Sequence, residues 1–247
     1  MNKQDYKGLP QAQKLLSHLR TLDHRFDLEI IFPKKRWPDI EKRKSSEVID
    51  IIRLHHLVSK DGLGNDLGLE TFVSRNRDAD LWIHIIDKDR KIIGFSINEG
   101  YEVDGKPVNY FRVTIFNKLI QKLGIYPLLN ELKVAIIPAD ILMVRTQNPV
   151  VYKYFSQLCH NHGLKVSPRV DFINPNMITL AKKLDPDVDD QSVHRALFKG
   201  EALIGTPKPP DDIAPIWDRM DISKGIFWRS WDIPTEIYFT KVTGRHS

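Results

Sequence analysis

The chain holds one cysteine, Cys159, in 247 residues. A single thiol excludes an internal disulfide and any Cys-rich zinc module, which suits a reducing compartment. No run approaches the ~18 consecutive apolar residues that cross a bilayer. The opening MNKQDYKGLPQAQ lacks the apolar centre of a signal peptide. No segment recurs at a solenoid period, and no hydrophilic linker isolates the last third. The expectation is a cytoplasmic protein with no membrane partner, built as one domain over 1–247 with a C-terminal elaboration at 171–247.

What is present is ordinary for a folded protein. Apolar residues make up 41 % and charged residues 28 %, near the averages for soluble domains. The net charge of +5 and pI of about 9.1 favour anionic ligands in general: nucleic acid, acidic membranes or a phosphorylated cofactor. Much of the excess lies in PKKRWPDIEKRK, Pro33 to Lys44. That stretch is either a solvated loop and helix start or a patch facing phosphate or an acidic partner.

Periodicity orders the elements. Leu15, Leu16, Leu19 and Leu22 lie at helical spacing within Leu9 to Leu22. Phe26 to Phe32 reads as a strand closed by Pro33. A helix begins at Ser45, with KDGLGNDLG breaking it, and a short one covers Leu69 to Arg75. DLWIHIID, RKIIGFSINEGYEV and VNYFRVTIF (Val108 to Phe116) form an antiparallel meander with a turn at Asp104-Gly105. GIYPLLNELKVAI then reads as a helix that tolerates Pro127 in its first turn. Asp140 to Gln147 reads as a buried strand, followed by a helix opened by Asn148 and Pro149 and closed near Gly163. Beyond it, NPNMITLAKKL and DDQSVHRALFKG look like short helices, GTPKPPDD like a loop and TEIYFTKV like a closing strand. The fold class is α/β (α+β), a mixed sheet flanked by helices.

The chemistry is sought in IFNKLIQKLGIYPLLNELK, Ile115 to Lys133. A strand ends at Phe116, a basic loop with one glycine follows, and a helix begins. Such a loop presents backbone N–H groups and the positive end of the helix dipole, which together bind phosphate. Gly124 lets an anion approach the backbone, and Lys118 and Lys122 add charge. From these residues alone a plain turn is the commoner reading.

Gln121 and Gly124, spaced as in Q/R-x-x-G-x-G/A, resemble the pyrophosphate-binding motif of the GNAT acyltransferase superfamily, with Tyr126 standing where a Gly or Ala belongs. The element order over about residues 26–170 is similar too. KIIGFSIN resembles the family's third strand, and ILMVRTQNPVVYKYFSQLCHNHGL its fifth strand and following helix. The resemblance implies a mostly antiparallel sheet whose fourth and fifth strands splay apart around acetyl-CoA. Thr114, Ile115 and Phe116 would line the pantetheine arm. Gln121, Lys122, Leu123, Gly124, Ile125 and Tyr126 would cradle the pyrophosphate, and Asn148 would stand at the end of the fifth strand. No metal is implied.

Acyl transfer to an amine uses a base on the amine and an acid on the leaving thiolate. The strand NYFRVTIF has no Glu, so Glu99 or Glu102 on the neighbouring strand would serve, with Glu99 taken as the base. The family's spacing for the acid falls on Phe155. Tyr154 is the nearest tyrosine and is taken as the acid, with Tyr152 a helical turn earlier.

Other motifs are weaker. His55-His56 and Cys159-His160-x-His162 lack a second half with ligand spacing. DPDVDD has Asp190 where a calcium loop needs Gly, and GEALIGT lacks the lysine of a P-loop. Trp217, Trp228 and Trp231 read as core or as a lid. The first reading is therefore an N-acyltransferase acting on a small-molecule or protein amine, with a homodimer left open. The alternative is a non-catalytic CoA- or partner-binding module of the same fold. A nucleic-acid-associated role through Pro33 to Lys44 is the lesser third.

Overall fold

The computed structural model describes residues 6–64, 66, 68–146, 148–167, 175–184, 190, 193–194, 210–212, 214–215 and 229–235. Among these residues eight strands form one sheet, in the order β1 (Asp27–Ile31), β2 (Leu81–Ile86), β3 (Ile92–Val103), β4 (Lys106–Phe116), β5 (Ile141–Thr146), β8 (Arg229–Thr235) and β6 (Lys165–Ser167), with β7 (Val193–His194) also against β8. All pairings are antiparallel except β4 with β5. The fold is thus a mixed, mostly antiparallel sheet flanked by helices. It carries the strand splay that the GNAT resemblance implies.

One face of the sheet is covered by α1 (Pro10–Leu22) and α5 (Ile125–Ile136). Ala12, Leu15, Leu16 and Leu19 form the buried stripe of α1 and meet Ile125, Leu129, Leu132 and Ile136 of α5 over β1 and β2. Each such buried leucine stabilises the fold by about 1.5–3 kcal/mol. The opposite face is covered by α3 (Ser46–Leu63) and α4 (Leu69–Asn76), where Val48, Ile52, Val58 and Phe72 pack on Trp82, Phe95, Ile97 and Ile115. β2 lies between these layers and is buried at every position, so its unbroken apolar run is that of a central strand. α6 (Pro149–Asn161) joins the α1–α5 side through Phe155 and Leu158, and α7 (Pro175–Leu184) packs Met177 and Leu180 against Val108, Tyr110, Ile141 and Met143.

The structure revises several expectations. α3 ends within KDGLGNDLG, as expected, but it runs past the first glycine of that stretch, Gly62, to Leu63 before stopping at the left-handed Gly64. Gly62 is there because a Cβ would meet the Phe116 carbonyl oxygen at 2.2 Å; it permits close approach of helix to strand. Val193 and His194, expected in a helix, pair with β8. The strand beside β5 is Arg229–Thr235, earlier than the expected TEIYFTKV, and Pro234 within it concealed it. Trp231 of the expected aromatic cluster sits in that strand opposite Arg145. Trp217, Trp228 and residues 236–242 lie outside the described residues.

Candidate functional site

A cleft opens where β4 and β5 part. Their parallel pairing runs from Val108–Ile141 to Phe111–Val144 and stops. From Val144 to Thr146, β5 pairs instead with β8 on its other side. Against β3, β4 carries a bulge in which Arg112 is the extra residue between Phe111 and Val113. A bulge bends and twists its strand, which carries the end of β4 away from β5. Phe111, Val113, Thr114 and Ile115 line the cleft on one side, and Val144, Arg145 and Thr146 on the other. α4 closes one end through Phe72, Arg75 and Asn76, and Tyr126, Asn148 and Val151 close the other.

Of the expected cradle, Tyr126 lines this cleft, whereas Gln121 to Ile125 are not among its lining residues. Gly124 is the left-handed residue before α5, with φ of 74°, and Lys122 also has positive φ. The loop is pinned from three sides. Gln121 Nε2 donates to the carbonyls of Gly62 and Phe116, each at 2.9 Å. The Lys118 backbone N–H donates to Asp61 Oδ2, and the His18 ring bonds the Leu123 carbonyl. Lys122, Leu123 and Gly124 are exposed while Ile125 is buried in the α1–α5 core. Gln121 thus clamps α3 to the end of β4. Tyr126 lines the cleft, and its ring meets that of Tyr154, which is not among the lining residues, at 6.2 Å between centroids.

Periodicity passed over Lys133, which lies on the apolar stripe of α5 and is 0 % exposed. Its Nζ donates to Thr114 Oγ1 at 2.6 Å and Asn130 Oδ1 at 3.1 Å, and stands 4.5 Å from the centre of the Phe111 ring. The aromatic face favours the cation, but burial drives the amine pKa well down. Desolvation of a fully buried amine is the larger effect. Thr114 shares a hydrogen bond with Ser96 Oγ, so the chain from Lys133 crosses beneath the cleft to β3. A lysine within the stripe Ile125, Leu129, Leu132, Ile136 was the available signal.

Charged groups collect on the α4 side. Glu99 on β3 is 6 % exposed and is engaged by the Tyr101 hydroxyl and by Arg112 Nη1. Glu102, by contrast, is exposed. Burial, then the charges of Arg145 and Arg75, push the Arg112 pKa down to about 10; Arg75 is lowered by burial and then by Arg145. Both stay charged at neutral pH. Burial, with Tyr110 and Asp80, pushes Tyr101 up to about 12, so its hydroxyl remains a donor to Glu99. Arg112 was hidden in the sequence because a bulge has no signature in NYFRVTIF.

On α6, Phe155 is fully buried and meets Phe111 edge to face at 5.5 Å. Tyr152 is buried and Tyr154 half-buried. Asn148 caps the helix, its Oδ1 accepting from the Val150 N–H at 2.9 Å while its own N–H donates to Thr146 Oγ1. Cys159 is buried.

Much of the basic segment is paired within the protein, with Lys35 and Lys42 left exposed. Arg43 binds Asp78 and the carbonyls of Trp37 and Pro38; Lys34 pairs with Asp80, Arg36 with Glu47 and Lys44 with Glu41. Trp37 is buried and donates to Glu47. A second polar chain is closed within the α3 layer: His55 Nε2 and His84 Nε2 lie 2.9 Å apart, and His84 Nδ1 is 2.9 Å from Glu29. Among the described residues no group of three or more His, Cys, Asp or Glu could hold a metal, and no helix is long and apolar enough to cross a membrane.

No family model and no curated protein matches the chain. Among solved structures, it is similar to a GCN5-related glucosamine N-acetyltransferase region of a fungal multi-domain GH3 β-N-acetylglucosaminidase, at 13 % identity and a TM-score of 0.42 over 68 % of this chain and 20 % of that one. It is also similar to arylalkylamine N-acetyltransferase 2 from Aedes aegypti, at 11 % identity and a TM-score of 0.40, over 62 % of this chain and 89 % of that one. A third is the NatC complex bound to Gag peptide and CoA, at 12 % and 0.39, over 57 % and 84 %. Likeness at this level carries no argument about substrate or catalysis.

Proposed function

We propose that the protein binds acetyl-CoA in the gap between β4 and β5 and transfers the acetyl group to an amine of a small molecule or protein. The observation that carries this reading is the splay itself. β4 loses β5 as a partner after Phe111, so the β5-facing backbone groups from Arg112 onward line a cleft instead of a ladder. Backbone polar groups left without a partner are costly, and an extended chain with amide groups, such as pantetheine, would satisfy those left open along Thr114, Ile115 and Phe116, of which the Phe116 carbonyl is already taken by Gln121. The loop Gln121 to Tyr126 reaches this cleft at Tyr126, where N–H groups of the first turn of α5 favour a phosphate.

When bound, acetyl-CoA supplies an activated acyl carbon and a thiol leaving group. Glu99, fixed by Tyr101 and Arg112, would take the proton from the incoming amine. Tyr154, whose ring meets that of Tyr126, would give one to the departing sulfur. A second reading, a binding module without catalysis, draws on Tyr126, which lines the gap with its ring against that of Tyr154, and on Phe155, which stands where the resemblance places the acid.

Calorimetry with acetyl-CoA tests both readings, and a protein that is folded by circular dichroism yet does not bind at millimolar concentration removes them together. Thiol release from acetyl-CoA against a panel of amines then separates enzyme from binder. Tyr154→Phe and Glu99→Gln are each expected to lower kcat by roughly 10²- to 10⁴-fold. Unchanged turnover in either removes that assignment.

A further inference from the structure

The α4 end of the cleft is lined by donors that lack acceptors. Arg75 is half-buried, and among the described residues its guanidinium makes no hydrogen bond or ion pair. Arg112 uses Nη1 on Glu99, but its buried Nε has no hydrogen-bond partner. Asn76 is 2 % exposed, and its Nδ2 is likewise unmatched. All three residues line the same cleft. Of the two guanidiniums only that of Arg112 reaches a carboxylate, Glu99, and the charge of Arg145 opposes both.

Buried donors without acceptors are costly, more so when charged, so such a cluster is expected to be completed by a ligand. A water molecule supplies acceptor lone pairs but no charge. A carboxylate or phosphate supplies both, in the planar arrangement that a guanidinium fork matches. Glu99 stands beside the cluster and is suited to an ammonium or amine. Helix α5 is on the other face of the sheet, since Thr114 reaches Lys133 on α5 while Val113 and Ile115 pack under α3 and α4, and the loop proposed for the donor's pyrophosphate meets the C-terminal end of α3 at Asp61 and Gly62.

We infer that this end of the cleft holds the anionic group of the acceptor, which is an amine carrying its own carboxylate or phosphate, with Arg75, Arg112 and Asn76 on the anion and Glu99 toward the nitrogen. The inference rests on the acyltransferase reading for the identity of the ligand as an acceptor. Anion binding at Arg75 can be measured without it.

The test compares matched amines on the intact chain: β-alanine with β-alaninamide, and O-phosphoethanolamine with ethanolamine. Each is followed by thiol release from acetyl-CoA and by calorimetry, in wild type, Arg75→Leu and Arg75→Lys, with folding checked by circular dichroism. The expected result is a preference of at least roughly tenfold in kcat/KM for the anionic member of one pair, a difference of about 1.4 kcal/mol. The pair that shows it tells carboxylate from phosphate. Arg75→Leu abolishes the preference with acetyl-CoA affinity unchanged, and Arg75→Lys, which keeps the charge without the fork, retains part of it. Equal or better use of the neutral amines overturns the inference. So does a parallel loss of acetyl-CoA affinity in Arg75→Leu, because the guanidinium would then read the donor's phosphate. If acetyl-CoA does not bind at all, the acyltransferase reading fails, and calorimetry decides alone. Binding of an anionic amine that Arg75→Leu removes sustains the anion site, and no binding of either overturns it.

Discussion

The ring of Tyr126, in the first turn of α5, meets the ring of Tyr154 on α6 nearly edge-on, with 6.2 Å between centroids and 63° between planes. The contact joins the two helices across the end of the cleft through which a CoA arm would pass. Aromatic pairs of this kind are worth about 0.5–1.5 kcal/mol beyond their buried area. Tyr126→Ala is therefore expected to destabilise the protein by about 1–2 kcal/mol in chemical denaturation. It should tighten acetyl-CoA binding by roughly three- to tenfold in calorimetry, because the ring no longer has to yield. Weaker binding would show that the ring belongs to the cradle.

Lys133 makes stability depend on pH. Its folded-state pKa lies well below the ordinary lysine value because the amine is buried, so between the two values the unfolded chain binds the extra proton. Stability accordingly rises with pH through that window, by up to about 1.4 kcal/mol per pH unit. Lys133→Met should flatten the rise measured by urea denaturation between pH 7 and pH 10. At pH 7 its net effect is small, since relief of the buried amine is offset by about 1–3 kcal/mol for Asn130 Oδ1 left without its donor. An unaltered slope would mean that the amine stays charged inside the protein.

His55 works in the same sense at lower pH. It is fully buried, stacked on Phe95 at 4.5 Å and faced by His84, with Glu29 beyond. Burial, then the charge of His84, holds its pKa well below the usual value. The unfolded state binds the proton first, so stability falls as pH drops below about 6.5. Urea denaturation at pH 7 and pH 5.5 should show a loss of about 1 kcal/mol from this group. His55→Leu should remove that part of the difference while lowering stability at both pH values, because His84 Nε2 loses its partner.

Gly62 and Gln121 tie α3 to the end of β4. A Cβ at Gly62 would stand 2.2 Å from the Phe116 carbonyl oxygen, so Gly62→Ala forces helix and strand apart and should cost about 1–3 kcal/mol or more. Gln121→Ala removes two donations to main-chain carbonyls and should cost about 1–3 kcal/mol. Thermal denaturation checks both. If Gln121→Ala left stability unchanged while weakening acetyl-CoA binding, its side chain would serve the phosphate and not the clamp.

Much of the fold was legible because its periodicities are local. The three-strand meander, the α5 start at Gly124 and the Asn148 cap depend on neighbours in sequence, through turn chemistry and the unpaired N–H groups of a helix start. Pro234 hid β8, since a proline cannot donate to a ladder and its strand is stabilised by partners elsewhere. Gly62 read as a helix breaker, although a distant carbonyl decides its role.

By itself the sequence determined the class of sheet, the order of its central elements and the loop from Gln121 to Tyr126, because hydrophobic period and glycine conformation act over a few residues. Only the tertiary structure decided that Tyr126 faces Tyr154, that Lys133 is buried beneath Thr114, and that Arg75, Asn76 and Arg112 line one cleft with Arg112 also holding Glu99. Those relations depend on where a bulge turns one strand and where β8 draws another aside, and desolvation acts on groups that packing alone brings together.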